Sequence, residues 1–270
     1  GIPLLASGIG VAVISGLVFF GGMGRLASVA EKIVPFMAGI YLIGGTFVLV
    51  THYDQIIPAF ELIFTAAFNP EAVGGGALGL TVAKAMQFGV ARGLFSNEAG
   101  MGTTPHAHAV AKVEHPAEQG LVAIFGVFST VVIVTLTVLV ILVTGVMDFS
   151  TTGIALTQKA YSVGLGSIGV AFVAICLFFF AYSTIIAWYF FSEQNVRYLF
   201  KNKGIAFYRL LVCACLVIGA VTQVNLVWSI SDLFNGIMVI PNVIALVLLH
   251  KVVGNSLKDF EEKLKAKKLR

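Results

Sequence analysis

Of the 270 residues, 58% are hydrophobic and 11% are charged, against roughly 25% charged in soluble domains. With a mean hydropathy of +0.97, that balance excludes an ordinary water-soluble globule and points to lipid as the solvent. The net charge of +4 is concentrated at one end: seven of the 17 Lys and Arg lie at or after Lys251. There they directly follow an apolar stretch, which sets nucleic acid aside in favour of anionic lipid headgroups.

Seven apolar stretches are predicted to cross a bilayer as helices. In chain order they cover about 3–20, 33–50, 77–95, 121–144, 168–191, 207–221 and 231–250. The third is interrupted by Lys84, Gln87 and Arg92. Between the second and third, 56–68 is apolar but too short to span, and reads as a short helix lying at the surface. In the tail, Leu257, Phe260 and Leu264 share one face among Lys and Glu, as in an interfacial amphipathic helix. Cys176, Cys213 and Cys215 sit inside apolar runs without paired spacing, so neither a disulfide framework nor a zinc site is expected.

Lys and Arg alternate along the connections. Arg25 and Lys32 follow the first stretch, 51–76 has none, and Arg197, Lys201 and Lys203 follow the fifth. By the positive-inside rule the odd stretches run inward, and the C-terminus is cytoplasmic in a cell (inner) membrane. The chain opens on an apolar stretch at Gly1 without an initiator Met, and is expected to be cut from a longer protein.

The most informative segment ends the third stretch: Gly93-Leu94-Phe95-Ser96-Asn97-Glu98-Ala99-Gly100-Met101-Gly102. Three glycines make continuous helix costly, by roughly 1 kcal/mol each relative to Ala. Ser96 and Asn97 compete for backbone hydrogen bonds. Irregular backbone at membrane depth is tolerated where it is buried in protein or lines a cavity, and broken helices in transporters hold substrates and ions there. A break is expected at about 95–100. An ordinary helix end in cytoplasmic water accounts for the same residues.

This segment, with His115-Pro116-Ala117-Glu118-Gln119-Gly120, the 21–38 and 182–190 blocks and the run from Trp228 to Asn242, resembles the alanine or glycine:cation symporter family. The resemblance implies an all-α polytopic membrane protein with a partial leucine-transporter-type inverted-repeat fold and seven transmembrane helices. On that basis 1–50 would hold the last two helices of the first repeat and 51–76 an extracellular connection. Residues 77–250 would be the second five-helix repeat and 251–270 a cytoplasmic basic tail, with further N-terminal helices of the same carrier as partners. It implies symport of a small neutral amino acid with Na⁺, or H⁺, as coupling ion, and no enzymatic cofactor.

Carried over residue by residue, the resemblance implies a substrate site at Phe95, Ser96, Asn97, Glu98 and Trp228. Phe95 would cover the side chain, Ser96 and Asn97 would bond the amino group or an ion, and Glu98 would either bond the freed backbone or act as a protonatable gate. It places Na⁺ at Ser183 and Thr184, whose hydroxyls could equally bond their own helix. Trp228, Asp232 and Asn235 are expected either at an outer gate or at a helix start capped by Ser231 or Asp232.

Two departures from the family pattern stand out. Thr103-Thr104-Pro105-His106 replaces the more usual Ser-Ala-Pro-Asn, and Ser129-Thr130 occupies a place that is often acidic. His106, His108 and His115 match no metal-ligand spacing and are expected in a loop. A catalytic dyad, phosphate loop or charged selectivity ring is not visible. That leaves a transporter ahead of a channel-like subunit, a membrane enzyme or an inactive fragment. No partner for Glu98 or Asp232 is evident in the sequence.

Overall fold

The computed structural model describes residues 3–68, 82–148 and 150–268, and among these the chain is helical without a β-strand. Among the described residues ten α-helices follow one another: α1 (Leu4–Phe19), α2 (Gly22–Thr51), α3 (Ile56–Phe68), α4 (Val82–Ser96), α5 (Thr104–His108), α6 (Pro116–Val143), α7 (Ile154–Leu165), α8 (Gly169–Phe200), α9 (Ile205–Val221) and α10 (Val224–Lys268). Single 3₁₀ turns at Tyr53–Gln55 and Gly166–Ile168 lead into α3 and α8.

Among the described residues four helical runs are long and apolar enough to cross a membrane: Gly22–Thr51, Pro116–Val143, Ile154–Phe200 and Val224–Ala266. Helices α1 and α9 are shorter apolar helices. The expected third span survives as the 15-residue α4, and its predicted start at 77–81 lies outside the described residues. So does the 69–76 part of the surface connection, whose apolar half is α3.

Helix α10 differs from expectation at its start. It begins at Val224, where Gln223 O accepts from the N–H groups of Leu226 and Val227, and not at 231. Nothing between 224 and 231 breaks a helix, so Ser231 and Asp232 lie within it and cap nothing. Its 45 residues would extend about 68 Å, more than twice the roughly 30 Å hydrocarbon core. The lysine-bearing end therefore continues beyond the apolar part.

The chain divides into two compact bodies: residues 1–20, 91–130 and 188–270, and residues 21–90 and 131–187. In the first, α1 packs along α9 through small residues. A Cβ on Gly8 would fall 2.6 Å from Ala220 Cβ, so glycine there allows an approach that any side chain would prevent. At the end of α8, Glu193 is fully buried. It accepts from Arg197 Nε at 3.0 Å, from Arg209 Nη2 at 3.3 Å and from the Tyr189 hydroxyl. Phe19 stacks on Tyr189, with ring centroids 3.7 Å apart.

The second body has a core of Tyr41, Val48, Leu136, Val140, Tyr161 and Val173 with their neighbours. Gly45 and Gly164 admit the side chains of Leu136 and Val48 into close contact, and Tyr41 Oη shares a 2.6 Å hydrogen bond with Thr137 Oγ1. Large apolar side chains such as Leu17, Ile43, Phe128 and Leu248 point outward, the surface that lipid would wet.

Candidate functional site

In the first body α4 ends at Ser96 and the next helix, α5, starts at Thr104, so the helix breaks inside the expected window. Three backbone positions in the left-handed region turn it, Glu98, Gly100 and Gly102. Gly100 (φ +75°) is free to adopt the left-handed region. Glu98 adopts it too (φ +51°), at a cost of order 1 kcal/mol for a non-glycine residue.

The hydrogen bonds of the break are local. Gly93 O accepts from Asn97 N at 3.3 Å, Asn97 Nδ2 at 3.0 Å and Ser96 Oγ at 3.2 Å. The N–H groups of Glu98, Ala99 and Met101 bond the carbonyls of Phe95, Leu94 and Glu98. Among the described residues no backbone N–H donates to the carbonyls of Ser96, Asn97 or Ala99. Asn97 Oδ1 is buried without a hydrogen-bond partner, an acceptor that a neighbouring donor or cation would relieve.

Glu98 has partners after all. Thr103 Oγ1 donates to its Oε2 at 2.7 Å and Thr104 Oγ1 donates to the same oxygen at 3.0 Å. The two threonines that depart from the family pattern are thus the residues that satisfy this carboxylate. Asp232 also has a partner. Arg92 donates Nη1 to Oδ1 at 2.7 Å and Nη2 to Oδ2 at 3.0 Å, and the guanidinium lies 4.4 Å from the centroid of Trp228. Phe95 meets Trp228 edge-on at 5.8 Å and lies near-parallel to Trp188 at 6.4 Å.

Phe95, Ser96, Asn97, Glu98 and Trp228 therefore belong to one body and surround one break. Ser183 and Thr184 belong to the other body, where both hydroxyls donate to Phe180 O at 2.9 Å, and Ser183 Oγ also meets Met37 Sδ at 3.5 Å. Each oxygen keeps lone pairs that a cation could use. The second body also holds an open, largely apolar cavity of about 220 Å³ beside Tyr41, Thr137 and Phe180.

His115 lies in the connection before α6, as expected of a loop residue, but it is buried and caps that helix. Ala117 N–H donates to His115 Nδ1 at 3.1 Å, so Nε2 carries the proton donated to Asp259 Oδ2 at 3.0 Å.

Sequence reasoning passed over Arg92, Trp188 and Asn242 as site neighbours. An arginine inside an apolar stretch needs a partner, and Asp232 was the acid available to it. Asn242 Nδ2 donates to Gly100 O at 2.8 Å, a link that no sequence spacing foreshadows.

The chain matches the model of the sodium:alanine symporter family over residues 1–270. It is 42% identical over 267 residues to the "probable sodium/glutamine symporter GlnT" of Bacillus subtilis, covering 98% of this chain and 55% of the relative. It is 40% identical over 285 residues to the "sodium/proton-dependent alanine carrier protein" of Bacillus sp. PS3, covering 98% and 63%. Against the "sodium/alanine symporter AgcS" of Methanococcus maripaludis it is 41% identical over 267 residues, covering 97% and 58%. The chain thus spans little more than half the length of these relatives.

Proposed function

This chain belongs to the sodium:alanine symporter family, a family of transporters rather than enzymes, and on that premise we propose that it supplies the substrate-binding break of a sodium-coupled carrier for small neutral amino acids. The observation that carries the proposal is the break after Ser96, where the Asn97 Oδ1 acceptor is buried and unmet. Bare backbone groups cost several kcal/mol each in lipid. A zwitterionic amino acid with its cation supplies what these acceptors lack: ammonium or Na⁺ at Asn97 Oδ1 and at the carbonyls of Ser96, Asn97 and Ala99. Phe95 and Trp228 supply an apolar wall suited to a short side chain, and Glu98, held by Thr103 and Thr104, braces the turn.

Ser183 and Thr184 are the proposed hydroxyl ligands of Na⁺, with H⁺ the alternative coupling ion. Arg92 and Asp232 form a gate beside the break, and by the positive-inside rule 51–76 lies outside and 96–118 and 251–270 inside. Relatives with alanine and glutamine in their names bracket the substrate class. The test is Asn97→Ala in the whole carrier, with uptake of labelled L-alanine measured in vesicles. Uptake should be lost while membrane abundance is kept, and wild-type uptake would remove Asn97 from the site.

A further inference from the structure

We propose that Asn242 is a positioning residue of the break: its side-chain amide fixes the Gly100 peptide, and thereby presets the turn that receives cation and substrate. The inference rests on the reading of the break as the binding site, and extends it to a residue on α10 that touches neither ligand.

Three observations converge. Asn242 Nδ2 donates to Gly100 O at 2.8 Å, a part-buried bond that joins α10 to the turn. A carbonyl only accepts, so the amide nitrogen must face it, and Asn242 Oδ1 then lies on the other side, towards Gly102. There a Cβ built on Gly102 would fall 3.0 Å from Oδ1 and 3.2 Å from Asn242 Cβ. Gly102 also has φ +78°, so both its conformation and its missing side chain make room for this amide.

The reason for a clamp follows from the backbone. Gly100 and Gly102 have more conformational freedom than other residues, and a turn containing both would sample many shapes. A site that must order itself on binding loses affinity by the free energy of ordering, and a preset one does not. Glu98 is fixed from one side by Thr103 and Thr104, and Gly100 from the other by Asn242. The same helix reaches the near flank of the break through Asp232 and Arg92. Asp232 and Asn242 are ten residues apart on α10, or about 15 Å along its axis. One helix therefore sets the spacing between the two flanks, and the unbonded carbonyls of Ser96, Asn97 and Ala99 lie between them.

The test uses three variants of the whole carrier: Asn242→Asp, of the same shape without the donor; Asn242→Ala; and Asn242→Gln, which keeps the donor on a longer arm. Initial L-alanine uptake is measured against Na⁺ and against alanine in proteoliposomes, alongside Na⁺-dependent thermal stabilisation of the purified protein. Losing one hydrogen bond should raise both half-saturation concentrations about tenfold in N242D and N242A, and reduce the Na⁺-dependent stabilisation. N242Q should fall between these and the wild type. Wild-type half-saturations in N242D, whatever happens to maximal rate or abundance, would overturn the proposal and leave Asn242 a packing residue.

Should N242D fail to reach the membrane, Gly102→Ala displaces the amide from the glycine side and should raise the same half-saturations; wild-type values there overturn the proposal too. The two readings fail separately. Normal uptake by N97A removes Asn97 from the site without touching the clamp. An unchanged Na⁺-dependent stabilisation in N242D removes the clamp even if the wild type takes up no alanine.

Discussion

Arg92 and Asp232 meet through two parallel hydrogen bonds of 2.7 and 3.0 Å, with Trp228 beneath the guanidinium. Their side chains are 37% and 47% exposed, so the pair is worth at most about 1 kcal/mol to folding. A planar fork that grips a carboxylate and can let go suits a gate better than a structural bolt. Asp232→Asn should leave abundance unchanged and alter severalfold the rate at which an external thiol reagent reaches a cysteine placed at Ser96. The exchange Arg92→Asp with Asp232→Arg should restore the original rate. An unaltered rate in the single variant would return the pair to surface decoration.

Ser183 and Thr184 both bond Phe180 O, and the double substitution to Ala removes two hydroxyls from an apolar helix. If these oxygens ligate Na⁺, the half-activating Na⁺ concentration should rise at least about tenfold, since each lost ligand is comparable to a charge-assisted hydrogen bond. The half-saturation for alanine at saturating Na⁺ should hardly move. Unchanged Na⁺ activation would leave the hydroxyls satisfied by their own helix and nothing more.

Glu193 is buried among Tyr189, Arg197 and Arg209. Glu193→Ala leaves Arg209, whose side chain is only 15% exposed, without its counter-charge. Stranding a partner in this way costs about 3 kcal/mol. The purified carrier should melt several degrees lower, with reduced abundance, and Glu193→Gln should lose less. A melting temperature equal to that of the wild type in the alanine variant would contradict the burial.

Asp148, in the connection between α6 and α7, accepts from Lys159 Nζ at 2.6 Å, from the Ser150 hydroxyl, and from the backbone N–H groups of Ser150 and Thr151. The lysine and then the serine hydrogen bond hold its carboxyl well below the usual carboxylate range. A depressed folded-state pKa gives stability that is present above the unfolded value and lost as pH falls through the folded one. Amide exchange at Ser150 and Thr151 should therefore stay slow through neutral pH and speed up only in strong acid, beyond the intrinsic pH trend. Asp148→Asn should abolish that acid step, and a step near neutrality would contradict the assignment.

By the positive-inside rule the asymmetry of Lys and Arg predicts a cytoplasmic tail. A cysteine at Asn255, in a carrier lacking Cys176, Cys213 and Cys215, should resist an impermeant thiol reagent in intact cells and react once the membrane is opened. Labelling from outside would reverse the orientation.

Much of the helical layout could be read from hydropathy, because long apolar runs and their charged interruptions report directly on the solvent. The break was legible as well: glycines at 93, 100 and 102 around Ser96 and Asn97 weaken a helix locally, and α4 ends at Ser96. The start of α10 was not, since hydropathy drops before 231 while the helical hydrogen bonds begin at Gln223. The site's cross-links were hidden for another reason. Arg92 with Asp232 and Gly100 with Asn242 are more than a hundred residues apart, and local patterning carries no record of such partners. Thr103 and Thr104 were noticed as departures, but their common carboxylate, Glu98, became evident only in three dimensions.

The continuity of α10 has a mechanical corollary. From Asn242 to Lys268 it forms an unbroken rod of about 39 Å that starts beside Pro241, where proline removes a backbone hydrogen bond and would provide a hinge. A tilt of about 5° at that hinge would sweep the far end through roughly 3 Å by the same geometry. Because His115 holds Asp259 on the same rod, such a movement would be passed to the connection before α6, and a spectroscopic label near Asp259 would read the state of the break from a distance.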